Sequence, residues 1–136
     1  MAARSEAFPW PSHYGHFRFF EDRMKGHSRV ANLASAGNGI YELTRDTGQV
    51  LRVFICECYS FGVAQFIDVQ NQLGDVDVVI INSNWCGYTK DAREHCRASQ
   101  VGLFTIAEFM GALAREDFWN YQIPAERERD KAPRRG

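Results

Sequence analysis

The run VDVVIINS, Val76 to Ser83, is the longest unbroken apolar pattern in the chain and predicts a strand buried on both faces. Upstream, QVLRVFICECY is nearly as apolar, and IYELT precedes it across RDTG, whose Asp46 to Gly48 are turn formers. Ile40 to Tyr59 therefore reads as a β-hairpin with its second strand central. Helical spacing appears elsewhere. From about His16 to Ala36, Phe17, Phe20, Met24 and Ala31 fall near one face, although Gly26 interrupts the run and Val30, Leu33 and Ala34 shift it. We expect a helix there, ended by SAGNG, Ser35 to Gly39. Val63, Phe66, Val69, Gln70 and Leu73 predict a short helix that stops at Gly74. Thr89 can cap another, with Asp91 in its first turn and Ala92 and Cys96 on its inner face. A short strand, VGLFTI, follows. TIAE, Thr105 to Glu108, then has capping-box spacing ahead of Ile106, Phe109, Met110 and Leu113, the stripe of a final helix.

The predicted order is helix, hairpin, helix, strand, helix, strand, helix, which describes an α/β three-layer sandwich with a mixed central sheet and helices on both faces. Right-handed crossovers set the strand of Ile55 beside that of Val79. The carboxyl ends of those strands, around Cys58 to Gly62 and Ser83 to Gly87, then share one rim, where such folds keep their sites.

The 136 residues suffice for one domain. We assign 1–15, with Pro9 and Pro11, to an extended lead-in, 16–122 to the domain, and the charged 123–136 to a solvated tail. No run approaches the roughly 18 apolar residues of a membrane span, and no secretion signal opens the chain, so a cytoplasmic protein is expected. Four scattered cysteines read as reduced thiols. A net charge of -1 gives no global attraction to nucleic acid, leaving only local patches.

Candidate chemistry centres on Glu57, a carboxylate between two cysteines in an apolar strand. Ionised carboxylates in such places are paired, solvated or part of a site. Alternation puts Ile55, Glu57 and Tyr59 on one face and Phe54, Cys56 and Cys58 on the other. If the hairpin register makes Glu42 its neighbour, the two acids form an oxygen-ligand pair suited to magnesium. The competing reading has both facing solvent or pairing with Arg45 and Arg52. In NSNWCGYTKDAR, a helix amino terminus with Asn82, Ser83, Asn84, Thr89 and Lys90 suits an anion, and equally suits an ordinary capped connection. Cys56, Cys58 and Cys96 read as small core residues rather than zinc ligands, with Cys86 open. The histidines His13, His16, His27 and His95 have neither metal nor triad spacing. No Walker or GxGxxG loop supports a nucleotide.

The succession CECYSFGVA, VDVVIINS, GYTKDAREHC and VGLFTIAEFMGAL resembles the Mrr-type restriction endonuclease-like domains of the PD-(D/E)xK superfamily. There a hairpin leads to a strand bearing (D/E)xK or QxK. A glycine-containing aromatic stretch, a helix, a buried strand, a G(F/Y)T-x-x-A helix start, a short strand and a last helix then follow. Gly87, Tyr88, Thr89 and Ala92 match that helix start, Cys96 stands four residues on where the family usually has a small alanine, and the resemblance spans about Gly39 to Leu113. It implies magnesium-dependent hydrolysis of DNA, with Glu42 and Glu57 as metal ligands and catalytic acids and Lys90 as a phosphate contact. The motif lysine is missing. Tyr59 stands in its place if Glu57 is the motif acid; if Glu57 occupies the lysine position, Ile55 takes that of the acid or glutamine. The function expected is therefore a nuclease-like domain acting on or binding DNA, and the alternative is a catalytically inactive module serving a protein partner or an assembly.

Overall fold

A computed structural model describes Trp10, residues 14–82 and residues 87–122. The lead-in apart from Trp10 and 14–15, the loop residues Ser83, Asn84 and Cys86, His13, and the tail 123–136 lie outside the described residues.

The first helix, α1, runs over Tyr14–Lys25, burying Phe20 and Met24 and ending in Arg23 and Lys25, cations favourable at its carboxyl terminus. It does not reach Ala36. Past Gly26 the chain turns, and Val30–Gly37 forms strand β1, so the predicted second half of the helix is corrected to a strand. The physical reason is visible in its exposure. β1 is an edge strand with only Val30 and Leu33 half-buried, so it carries no clean period-two pattern, and its few apolar residues mimic a helix whose face has drifted.

Strands β2 (Ile40–Arg45) and β3 (Val50–Cys56) form the expected hairpin, with Ile40 opposite Phe54 and Thr44 opposite Val50. Its turn closes through Gly48, which has φ +95° and donates its N–H to the Arg45 carbonyl. The β1–β2 turn needs glycine for a different reason. Gly39 has φ +83°, and a Cβ there would lie 2.6 Å from the Ile55 carbonyl oxygen, so a side chain would collide with backbone as well as strain it. After the two-residue strand β4 (Ser60–Phe61) come helix α2 (Val63–Leu73), strand β5 (Val78–Ile81), the short strand β6 (Gly87–Tyr88), helix α3 (Lys90–Ala98), strand β7 (Gly102–Phe104) and helix α4 (Ile106–Ala112). A 3-10 turn, Phe118–Asn120, ends the described chain.

The main sheet has the order β1-β2-β3-β5-β7, with the first three strands antiparallel and β3, β5 and β7 parallel. Ile55 lies opposite Ile80, so the expected neighbourhood of the two apolar strands holds. Each face of the sheet has its own core. Phe54, Cys56, Val79 and Ile81 pack with Phe66 and Val69 of α2 and with Ala92 and Cys96 of α3. On the opposite side Val53, Ile55, Val78 and Ile80 pack with Phe20 and Met24 of α1 and with Ile106 and Phe109 of α4. Burial on both faces explains why β3 and β5 read as continuous apolar runs. The protein is thus α/β, with a mixed five-stranded sheet between helices. Among the described residues no helix is long and apolar enough to cross a membrane.

The caps fall where the sequence puts them. Thr89 Oγ1 accepts from the Ala92 N–H at 3.0 Å to start α3, and Thr105 and Glu108 exchange capping-box hydrogen bonds to start α4. At α2 the N-cap is Gly62, whose own N–H is taken by the Gln65 side chain at 2.9 Å. Gly74 closes that helix at φ +80°.

Candidate functional site

Parallel pairing brings the carboxyl ends of β3 and β5 to one rim. Directly beyond β3, Glu57 is only 7% exposed, and its N–H donates to the Trp10 carbonyl at 2.8 Å. Cys58 is buried, whereas Tyr59 stands 63% exposed at the lip. A small parallel ribbon then ties the rim together. Ser60 pairs with Gly87 and Phe61 with Tyr88, and the Gly87 N–H reaches the Tyr59 carbonyl at 3.1 Å. Between them lies a groove of about 550 Å³ lined by Trp10, Cys58, Tyr59, Ser60, Gln65, Asp68 and Thr89. Trp10 meets Phe61 edge to face at 6.0 Å, which anchors Trp10 against this rim.

The two acids expected to meet do not meet through the hairpin. Glu42 lies opposite Arg52, and Glu57 is five residues further along, roughly 17 Å at about 3.3 Å per residue. Glu42 shares the side of Arg52 and Phe54, and Glu57 lies just past the end of β3 at Cys56. The register that would have made Glu42 a neighbour of Glu57 is not the one formed. Glu42 is exposed, as its solvent-facing reading had it. Tyr41 and Leu43 of β2, opposite Val53 and Leu51, share a side with Ile55; Tyr41 is the polar one. Its hydroxyl donates to Glu21 Oε2 at 2.6 Å, and burial together with that carboxylate pushes its pKa upward.

The arginines considered as partners for these acids point elsewhere. Arg52 Nη1 donates to the carbonyls of Leu73 and Asp75 at 2.6 and 2.7 Å. Arg45 is 4% exposed and donates from Nη2 to the carbonyls of Leu113 and Arg115 at 2.8 and 2.6 Å. Lys90 is exposed at the start of α3, with Nζ 3.9 Å from Glu94, a loose pair in full solvent.

Sequence reasoning missed a charged cluster beside this rim. Arg93, between the inner-face residues Ala92 and Cys96, is buried with a side chain 5% exposed, and forms an ion pair with Glu108 at 3.5 Å. Glu108 Oε1 also accepts from the Tyr88 hydroxyl at 2.7 Å and from the Thr105 N–H at 2.9 Å. Arg93 donates to the Tyr88 hydroxyl as well, and its guanidinium lies 5.2 Å from the Phe104 ring centre. The signal was faint. Arg93 follows Ala92 directly on a helix whose inner stripe is narrow, and nothing in composition distinguishes it from a solvated arginine.

Cys56, Cys58 and Cys96 are buried thiols within one apolar cluster, as their small-core reading expects. Among the described residues no group of three histidine, cysteine or acidic side chains is arranged to hold a metal ion. Burial pushes the Cys96 thiol from 9.0 up to about 12. Because the folded thiol ionises later than the unfolded one, its neutral form contributes stability that is fully present below pH 9 and is lost as pH rises toward 12. Urea midpoints measured at pH 8 and pH 10.5 should therefore fall with pH, by up to about 1.4 kcal/mol per pH unit from this group. Cys96→Ala should flatten the slope.

His95 is exposed and sets its ring edge against Phe66. His27 serves the fold rather than a site. Its Nδ1 accepts from the Arg29 N–H, leaving Nε2–H to donate to the Met110 carbonyl at 2.9 Å, which ties the end of α1 to α4.

Comparison with family models, curated proteins and solved structures finds no match to this chain.

Proposed function

We propose that the chain is a restriction endonuclease-like module that no longer cuts DNA and serves instead to bind a protein partner or hold an assembly together. The order β2–β3 hairpin, α2, β5, Gly87-Tyr88-Thr89 into α3, β7 and α4 follows that of the Mrr-type domains it resembles, and supports the specific fold. The observation that carries the functional reading is the hairpin register, which sets Glu42 opposite Arg52, five residues short of Glu57. A magnesium ion in this family needs acids converging from adjacent strands, and these two do not fit one ion. Had they done so, the metal would have supplied an activated water and charge neutralisation at the phosphate.

The arginines that pack within the fold support the same reading. Arg45, Arg52, Arg93 and Arg97 all donate to carbonyl oxygens or to Glu108 within the fold. Cations engaged in this way are poorly placed to grip a phosphate backbone.

The test is incubation of labelled single-stranded, duplex and branched DNA with magnesium or manganese, with a chelator control and Glu57→Gln in parallel. We expect no metal-dependent cutting and no salt-sensitive binding. Cutting that disappears with chelator and in Glu57→Gln would overturn the reading in favour of a nuclease with an altered motif. Salt-sensitive binding without cutting would replace the protein partner with DNA.

A further inference from the structure

Strand β1 forms one edge of the main sheet, and among the described residues no strand pairs with its outer side. All of it but Val30 and Leu33 is exposed, and VANLASAG holds neither a charge nor a proline, two of the devices that guard such edges. Between two irregularities, the stretch Asn32–Ser35 keeps regular register with β2, Asn32 opposite Thr44 and Ser35 opposite Tyr41. Alternate backbone groups of an edge strand point away from its neighbour, so an extended chain can add there.

A cavity of about 240 Å³ adjoins the same strand. Ser35 and Gly37 of β1, Gly39 of the turn, Tyr41 of β2, and Phe17 and Glu21 of α1 line it. The Phe17 and Tyr41 rings lie 6.4 Å apart and tilted at 46°, with Glu21 half-buried beside them. Glu21 Oε2 accepts from the Tyr41 hydroxyl, and among the described residues no cation lies within ion-pair distance of that carboxylate. A half-buried carboxylate next to two aromatic rings is satisfied by a cationic group, through charge and through cation–π attraction.

We propose that this edge and this cavity together take an extended basic segment of a partner protein. The segment adds to Asn32–Ser35 as a further strand and sets a lysine or arginine side chain against Glu21, Phe17 and Tyr41. Charge complementarity selects that occupant: β1 is uncharged, and among the described residues that line the cavity the one ionised group is a carboxylate. Backbone pairing gives the affinity and the cavity chooses the side chain. Such a site belongs to the partner-binding reading proposed above and rests on it.

The experiment is titration of the isotope-labelled full chain with a capped pentapeptide, a central lysine flanked by valine and threonine, followed through backbone amide shifts. Two control peptides replace the lysine with norleucine or methylate alternate backbone amides, and two variants, Glu21→Gln and Glu42→Gln, are titrated alongside. Glutamine at position 21 keeps an acceptor for Tyr41, so that variant should stay folded. We expect saturable shifts centred on Asn32–Ser35 and Tyr41, abolished by methylation. Norleucine or Glu21→Gln should weaken binding by about tenfold or more, the scale of a lost charge-assisted hydrogen bond. Glu42→Gln should change nothing, because that exposed carboxylate lies outside the cavity. Absence of saturable shifts at β1 would overturn the proposal, as would equal affinity for the norleucine peptide or equal losses from the two variants. Shifts at β1 that follow protein concentration and ignore the peptide would also overturn it, in favour of a second copy as the occupant. The two readings fail separately. Metal-dependent cutting of DNA would remove the partner-binding reading whatever the peptide does, whereas an unbound peptide with DNA uncut and unbound would remove this site alone.

Discussion

Glu108→Ala is expected to lower unfolding stability by about 3–5 kcal/mol, the range for stripping one partner from a buried ion pair. Arg93 would keep its charge in a site where its side chain is 5% exposed and would lose its anion. The Tyr88 hydroxyl and the Thr105 N–H would lose their acceptor in the same step, since both donate to Glu108 Oε1. Urea unfolding followed by circular dichroism gives the measurement. Glu108→Gln keeps an oxygen for Tyr88 and Thr105, so it should cost clearly less than alanine. The double replacement Arg93→Met with Glu108→Leu should recover much of the loss, because an apolar pair of similar size removes the stranded charge. If the double variant were as unstable as Glu108→Ala, the charge would not be the cause.

A loss of similar size, about 3–5 kcal/mol, is expected for Phe104→Ala. The ring is fully buried, stacks on Phe109 with centres 6.2 Å apart, and supports both the Arg93 guanidinium and the Tyr121 ring. It also lies so close over Gly102 that a Cβ there would fall 2.4 Å from the ring. Truncation would open a cavity lined by elements that carry charge as well as apolar groups, so collapse around it is restricted. Phe104→Leu keeps most of the volume and should cost less, about 1–2 kcal/mol. Equilibrium unfolding of the two variants separates a packing effect from loss of the strand: an equal loss in both would point to the strand itself.

Much of this architecture is legible in the sequence wherever one local rule acts alone. Val78–Ile81 and Val53–Cys56 are buried on both faces, so hydrophobicity by itself marks them as strands. Thr89 and Thr105 cap their helices through side-chain chemistry that needs no tertiary partner. β1 was hidden because an exposed edge strand has almost no pattern, and its helix-like spacing came from residues that need not face a core. The carboxylate pair failed for a geometric reason. Which residue of β2 a residue of β3 meets depends on the number of residues between the strands, and the Arg45–Gln49 turn sets Glu42 opposite Arg52, five residues short of Glu57. Arg93 was invisible for the opposite reason, since its burial is decided by Tyr88, Phe104 and Glu108, which come together only in the folded chain.

The central claim, that the acids of the hairpin do not build a shared metal site, is tested most directly by titrating manganese into the wild type, Glu42→Gln and Glu57→Gln and reading bound ion by electron paramagnetic resonance. We expect weak binding without a saturating one-to-one site, and the same curve from all three proteins. A stoichiometric site present in the wild type and abolished by each single replacement would contradict it.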